Sequence, residues 1–363
     1  MCRWPQQRLL AGSVVRKAFV DRIRRIQATA EDRNRFDRFL LGTYKRYRGL
    51  KSRFENSDSE QVSKLYLRSR NLKRNLGGKQ LKFVNVEQAS IWTLEWIKTF
   101  PQRYDLIVGV PRSGMFIASL IALKLGLPLS TPDLLQRGKY WLSKEVKERP
   151  DLDKVNHVLL VDDSMDTGRS MAKAVDAIHT AYANIDVSRA CLIVREEARS
   201  SVELYHKVIT PPRTFEWNIL HRKIASHLAG GHLAVDLDGV LCADSPPGTD
   251  ADEKAYLEWL PNAKPYLIPA FEIDTIITCR LEQYRSQTEE WLERHDVRYG
   301  ELLMWDLPSK SERRGRFARH KVNELLRIKP DMFWESNWDQ SQTIWKETRI
   351  PTLCIDRMTL LSS

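Results

Sequence analysis

Two acidic pairs follow short apolar runs, where the chain is expected to leave the end of a buried strand. Asp162 and Asp163 come directly after the apolar residues 158–161, and Asp236 and Asp238 follow the apolar residues 233–235. Carboxylates at the carboxyl end of a parallel strand can bind a divalent ion or the vicinal hydroxyls of a sugar. The spacing therefore predicts two separate sites for phosphorylated ligands.

The residues after the first pair suit a phosphate group. Asp166, Thr167 and Gly168 precede a predicted helix that begins near Ser170, with Arg169 between them. Small and hydroxyl residues at a helix start leave backbone N–H groups exposed, and their partial positive charge favours an anion. The plainer interpretation is an acidic loop that caps a helix.

A second strand-to-helix turn, residues 108–115, reads VGVPRSGM and supports the first interpretation. Gly114 permits a close approach of the backbone to a ligand, and Arg112 can contact an anion, with Ser113 between them. By itself this turn is a weak signal. Residues 131–154 are rich in charge and contain Arg137, Lys139 and Lys144, which a plain surface loop would equally explain.

Residues 158–171 resemble the phosphoribosyl pyrophosphate (PRPP) signature of type I phosphoribosyltransferases. The resemblance implies that Asp162 and Asp163 bind the ribose hydroxyls, one of them through Mg²⁺. It also implies that residues 166–170 cradle the 5-phosphate, and that Asp166 accepts a proton from the acceptor. Arg112, Ser113 and Gly114 would then bind pyrophosphate.

An aromatic element follows the predicted sheet. Phe215 and Trp217 occupy places where several purine phosphoribosyltransferases cover the acceptor base. The chain differs from that element at Glu216, where proline is common. Packing at a domain junction is the alternative role for both rings.

The second acidic pair lies in a set that resembles the haloacid dehalogenase superfamily of phosphatases over residues 232–360. The resemblance implies that Asp236 is the nucleophile and that Asp238 is the acid and base. It implies that Thr278 and Lys321 bind the phosphate group. Lys321 is expected to begin a helix. Glu335 and Asp339 would bind Mg²⁺ together with Asp236 and Asp238, although the family usually has aspartate in place of Glu335. Lys310 is a rival for the lysine role. Only 42 residues separate Asp236 from Thr278, so any cap must be small.

Composition excludes wholesale disorder, since 42% of the 363 residues are hydrophobic. Residues 1–80 hold 21 Lys and Arg against 7 Asp and Glu, whereas the rest of the chain holds 37 against 40. A basic segment favours phosphate-bearing partners such as nucleic acid or an anionic membrane. The five isolated cysteines and the absence of a signal-peptide pattern indicate a cytoplasmic protein.

Alternation of apolar strands with amphipathic helices predicts an α/β protein with two Rossmann-like parallel-sheet domains and a basic helical extension. We expect the extension over residues 1–80, a phosphoribosyltransferase-like domain over 81–222 and a phosphatase-like domain over 231–363. This architecture resembles bacterial two-domain ribofuranosyltransferases of surface polysaccharide assembly. That resemblance favours a glycan acceptor, with the basic segment at the inner face of the membrane. The alternatives are a nucleobase or small-molecule acceptor and a PRPP-sensing regulator that binds nucleic acid, which the two intact acidic sets disfavour.

Overall fold

The computed structural model describes residues 81–100, 104–142, 151–221, 231–313 and 315–362. The predicted basic extension lies outside the described residues. Lys144 also lies outside them, as do residues 222–230 of the predicted domain boundary near residues 222–231. In the described ranges, no helix is both long and apolar enough to cross a bilayer.

The first domain is a Rossmann-like sheet of five parallel strands in the order β3-β2-β4-β5-β6. Alternate residues of β4 point to opposite faces, because side chains alternate along a strand. Val158 and Leu160 join one apolar core, and Leu159 and Val161 join the other. Helices therefore cover both faces. The elements are β1 (Lys82–Val84), α1 (Val86–Ile97), β2 (Leu106–Gly109), α2 (Gly114–Leu125), β3 (Leu129–Ser130), α3 (Pro132–Gln136), β4 (His157–Met165), α4 (Arg169–Ala181), β5 (Asp186–Val194), β6 (Leu204–Val208) and β7 (Arg213–Phe215).

The second domain is a six-stranded sheet in the order β10-β9-β8-β11-β12-β13. Its first five strands are parallel, but β12 and β13 pair antiparallel, so the sheet is mixed rather than parallel as the sequence predicts. The reason is the short turn after Cys354, which returns the chain without a crossover helix. The elements are β8 (Leu233–Asp236), α5 (Glu253–Trp259), β9 (Ile273–Leu281), α6 (Arg285–Arg294), β10 (Tyr299–Trp305), α7 (Phe317–Ile328), β11 (Met332–Glu335), α8 (Trp338–Thr348), β12 (Thr352–Cys354) and β13 (Thr359–Leu361).

A separate two-stranded sheet of β1 and β7 lies beside both domains. Leu81, just before β1, belongs to the apolar core of the second sheet together with Ile219. The Asn85 side chain donates a hydrogen bond to the carbonyl of Met358 at 3.2 Å. The Ala270 backbone N–H donates to the carbonyl of Leu220 at 2.7 Å. Segments on both sides of β1 and β7 are therefore packed against the second domain.

Candidate active sites

The first acidic pair lies within β4 rather than after it, because β4 keeps pairing with β5 as far as Met165 and Val194. Both carboxylates are buried, with Asp162 8% and Asp163 3% exposed. The Asp163 carboxylate accepts hydrogen bonds from the Ser113 hydroxyl at 2.8 Å and from the Trp217 indole N–H at 2.9 Å. Asp163 thus joins the turn before α2 to the aromatic element after β7.

The two side chains that donate to Asp163 in the described part of the chain, Ser113 and Trp217, are both neutral. Burial, and then repulsion from Asp163, raises the pKa of Asp162 to about 9. Over the described ranges, no three His, Cys, Asp or Glu side chains form a ready metal site. Mg²⁺ is commonly held by one or two carboxylates with waters and substrate phosphates, and Asp162 and Asp163 fit that requirement.

The turn between β2 and α2 lies against this pair. A Cβ atom on Gly114 would stand 2.9 Å from the Asp162 carboxylate and 2.9 Å from the Val161 carbonyl. Only glycine therefore fits at this position without displacing Asp162. Ser113 is half-buried and Arg112 is exposed, and the Pro111–Arg112 peptide bond is cis. The structure brings all three predicted loop residues to one edge of the sheet.

The predicted phosphate cradle surrounds the start of α4. Gly168 has a φ of +73°, which favours glycine, and no side chain caps the first amides of the helix. Thr167, Arg169 and Ser170 are exposed. The helix start thus offers free backbone donors beside exposed hydroxyl and guanidinium groups.

Arg213 is a site residue that sequence reasoning missed. Its buried guanidinium donates to the Asp166 carboxylate at 2.9 Å and to the Met165 carbonyl at 3.0 Å. The Asp166 carboxylate is therefore fixed by a cation on β7. The sequence offered only an arginine two residues before Phe215, and an arginine at that position could equally be an exposed surface residue.

The aromatic element divides into two roles. Phe215 is 6% exposed and lies in the apolar core, which favours packing, the alternative role of this ring. Its ring instead supports Trp217, with centroids 5.1 Å apart and planes 12° from parallel. Glu216 accepts a hydrogen bond from the Val86 N–H at 2.7 Å, at the start of α1. That bond explains a carboxylate at this position, since a helix N-terminus favours negative charge.

Residues 83–222 match the family model described as phosphoribosyl transferase domain. This part of the chain is a phosphoribosyltransferase domain. Its family indicates a transferase enzyme that uses PRPP. No curated protein matches the chain.

Three of the solved structures that are similar to this chain are two phosphoribosyltransferases and one protein complex. The xanthine-guanine-hypoxanthine phosphoribosyltransferase of Helicobacter pylori is 16% identical, covering 39% of this chain and 93% of that one, with a TM-score of 0.30. The orotate phosphoribosyltransferase of Aeropyrum pernix is 25% identical, covering 34% and 69%, with a TM-score of 0.25. A Pnkp1/Rnl/Hen1 complex is 14% identical, covering 76% and 95%, with a TM-score of 0.25.

Beyond the phosphoribosyltransferase domain, a buried lysine joins two carboxylates at the tips of β8 and β11. Lys321 Nζ lies 2.7 Å from Asp236 Oδ2, 2.7 Å from Glu335 Oε2 and 3.2 Å from Gln340 Oε1. Burial alone would lower the pKa of Lys321, but the two carboxylates outweigh it and raise that pKa well above its usual value. Lys321 lies in the second turn of α7 rather than at its start, because α7 begins at Phe317.

Asp238 is held by Arg280, another residue that sequence reasoning missed. The fully buried guanidinium donates to Asp238 Oδ1 at 2.7 Å and lies 4.9 Å from the centre of the Trp259 ring. Arg280 follows Thr278 by two residues on β9. The Thr278 hydroxyl is itself fully buried and accepts a hydrogen bond from the Arg280 N–H at 3.1 Å.

A cavity of about 240 Å³ opens beside these residues. Asp236, Asp238 and Lys321 line it, whereas Thr278, Glu335 and Asp339 are not among its walls. Asp339 is exposed on the first turn of α8. Asp244 takes a place at the cavity instead, 3.0 Å from where a Cβ on Gly239 would lie. The remaining lining is Ser245, Asp250, Tyr256, Trp259, Cys279, Arg313, Phe317, Ser336 and Gln340.

Burial and then the charge of Asp238 raise the pKa of Asp244, so this wall of the cavity has excess negative charge. Asp236, Asp238 and Asp244 are oxygen donors of the kind that Mg²⁺ prefers. Asp244 rather than Asp339 lines the cavity, but the three carboxylates are not gathered into a ready metal site, so a magnesium ion there would also need substrate oxygens and waters as ligands. Lys310, the rival for the lysine role, pairs with Glu253 at 3.0 Å and is not a lining residue.

Proposed function

We propose that the chain is a bifunctional enzyme that transfers phosphoribose from PRPP to an acceptor and then removes the 5-phosphate from the product. The observation that carries the proposal recurs in both sheets: buried carboxylates lie near the carboxyl end of a parallel strand, beside an uncapped helix start in the first sheet and beside a cavity in the second. The family of residues 83–222 supports the first half, and the cluster of Asp236, Lys321 and Glu335 supports the second.

In the transfer step, the bond between ribose C1 and pyrophosphate breaks as the acceptor atom bonds to C1. Residues 166–170 would hold the 5-phosphate through the free amides at the start of α4, and Arg112 would contact the leaving pyrophosphate. Asp162 and Asp163 would hold Mg²⁺, which supplies charge neutralisation for the pyrophosphate. Asp166, fixed by Arg213, would accept the acceptor proton.

In the second step, Asp236 Oδ attacks the phosphorus atom and the ester oxygen leaves with a proton from Asp238. An aspartyl phosphate forms and is hydrolysed by a water that Asp238 activates. Lys321 orients Asp236, because it pairs with that carboxylate at 2.7 Å, and its charge opposes the effect of burial, which raises the pKa of Asp236 well above its usual value. Asp236, Asp238 and Asp244 would hold Mg²⁺, which neutralises charge on the phosphoryl oxygens.

For the acceptor we propose a glycan, so that the product is a ribofuranosyl unit of a surface polysaccharide. The support is the pairing of transfer with dephosphorylation, which leaves a ribose without phosphate. We place the enzyme in the cytoplasm, with residues 1–80 at the anionic inner face of the membrane. A nucleobase-like acceptor is the second candidate, because the half-buried Trp217 ring lies beside Asp163 and offers a stacking surface.

The test measures pyrophosphate and phosphate release separately, with labelled PRPP, Mg²⁺ and either a lipid-linked glycan or a nucleobase. We expect Asp236→Asn to abolish phosphate release, by at least about 1,000-fold, while pyrophosphate release persists. Asp166→Asn should slow pyrophosphate release by about 100-fold or more and spare the phosphatase. Loss of both activities in either variant would contradict two independent sites. Pyrophosphate release that needs no acceptor would contradict the transferase.

A further inference from the structure

Among the described residues, two cationic side chains line the cavity of the second domain, those of Lys321 and Arg313. An ammonium group has three N–H donors. The three N–H donors of the Lys321 ammonium group are directed at side-chain acceptors of the protein, namely Asp236, Glu335 and Gln340. Lys321 therefore has no donor left for an entering phosphate unless one of these bonds breaks.

Arg313 differs in one respect. Arg313 is only 5% exposed, yet its Nε–H has no hydrogen-bond acceptor within the described part of the chain. The other end of the guanidinium is held, since Nη1 donates to the Cys279 carbonyl at 2.9 Å and Nη2 pairs with Asp250. A buried donor without a partner is costly, so such a group in a cavity wall indicates a missing ligand.

We propose that Arg313 binds the phosphoryl group of the phosphomonoester substrate in this cavity, through its unpaired Nε–H. This inference rests on the proposed phosphatase function and names a substrate-binding residue for it. Four carboxylates line the cavity, and three of them pair with cations of the protein. The fourth, that of Asp244, adds negative charge that would repel a phosphate dianion. A guanidinium held in place by the Cys279 carbonyl offsets that repulsion with a preorganised, charge-assisted donor.

Asp250 sets the strength of this interaction. It comes from the segment between β8 and α5, whereas Arg313 follows β10. Because Asp250 neutralises part of the guanidinium charge, it opposes phosphate binding. The Cys279 carbonyl keeps Arg313 in place when Asp250 is changed, so removing the Asp250 charge should strengthen phosphate binding.

The experiment measures the Kd of inorganic phosphate by calorimetry, and the KM and kcat for ribose 5-phosphate, on the full chain. Arg313→Gln should weaken phosphate binding by about 10- to 100-fold and raise KM by a similar factor. Arg316→Gln is the matched control, because Arg316 is exposed, lies three residues away and is absent from the cavity wall. It should resemble the wild type.

Asp250→Asn keeps the test decisive if Arg313→Gln fails to fold. We expect it to lower the phosphate Kd by a few-fold, since a like charge near the anion is removed. An unchanged phosphate Kd in Arg313→Gln, or a raised one in Asp250→Asn, would overturn the inference. If the wild type fails to hydrolyse ribose 5-phosphate but Arg313→Gln still loses phosphate binding, the phosphatase proposal fails and the role of Arg313 stands.

Discussion

Both sites contain buried carboxylates, but the side chains that stabilise these carboxylates differ between the two domains. In the phosphoribosyltransferase domain, Asp163 is held by the neutral hydroxyl of Ser113 and the neutral indole of Trp217. In the second domain, Asp236 pairs with Lys321, and Asp238 pairs with Arg280. Within the described residues, the side chains that donate to Asp163 are thus neutral, whereas the carboxylates of the second site pair directly with cations.

This difference assigns different roles to a bound metal ion. A buried carboxylate pair without a counterion gains stability from any cation that arrives with the substrate, so PRPP and Mg²⁺ should order the first site together. The second site is already compensated, so its structure should depend on the buried lysine more than on the metal. Variants of these residues can separate the two cases.

The largest effect is expected from Lys321→Met. The change leaves Asp236 and Glu335 buried side by side without a cation, which costs about 3–5 kcal/mol of unfolding free energy and abolishes phosphate release. Lys310→Met is the control, since the Glu253 partner of Lys310 is 55% exposed and the pair contributes about 1 kcal/mol or less. Denaturant unfolding and phosphate release measure both. Equal losses in the two variants would mean that Lys321 is not the compensating cation.

The strands and helices could be predicted because apolar runs such as residues 158–161 and 233–235 mark buried strands irrespective of context. The arginines that hold the acidic side chains could not be predicted from such local patterns. Arg213 and Arg280 reach the acidic groups only through strands that lie 47 and 42 residues away along the chain. Asp339 was predicted from the motif of a family, but it lies exposed on the first turn of α8, whereas Asp244, which no motif indicated, lines the cavity.

Gly114→Ala should have a smaller effect, confined to the first site. The added Cβ meets the backbone carbonyl of Val161, which cannot move freely, so Asp162 is displaced instead. We expect phosphoribosyl transfer to fall by about 100-fold, as for a displacement of about 1 Å at a reacting site, while phosphate release is unchanged.

Gly126→Ala serves as the matched control for that change. Gly126 has a φ of +67° at the end of α2, so alanine strains the backbone there, but no atom lies within 4 Å of the new Cβ. It should lower stability without changing the KM for PRPP. A transfer rate lost equally in both variants would indicate destabilisation of the domain rather than displacement of Asp162.

The smallest expected effect is that of Trp217→Phe, which keeps a ring over Phe215 but removes the indole N–H from Asp163. The carboxylate loses one of two neutral donors and gains negative charge density, so the apparent affinity for Mg²⁺ should rise while its orientation loosens. We expect the KM for PRPP to increase by roughly 3- to 10-fold with kcat changed less, because a single hydrogen bond to a carboxylate is lost. Trp92→Phe, on α1 away from Asp163, is the control. If Trp217→Phe changed only the KM of the acceptor, Trp217 would act as an acceptor surface and would not be a support for the acidic pair.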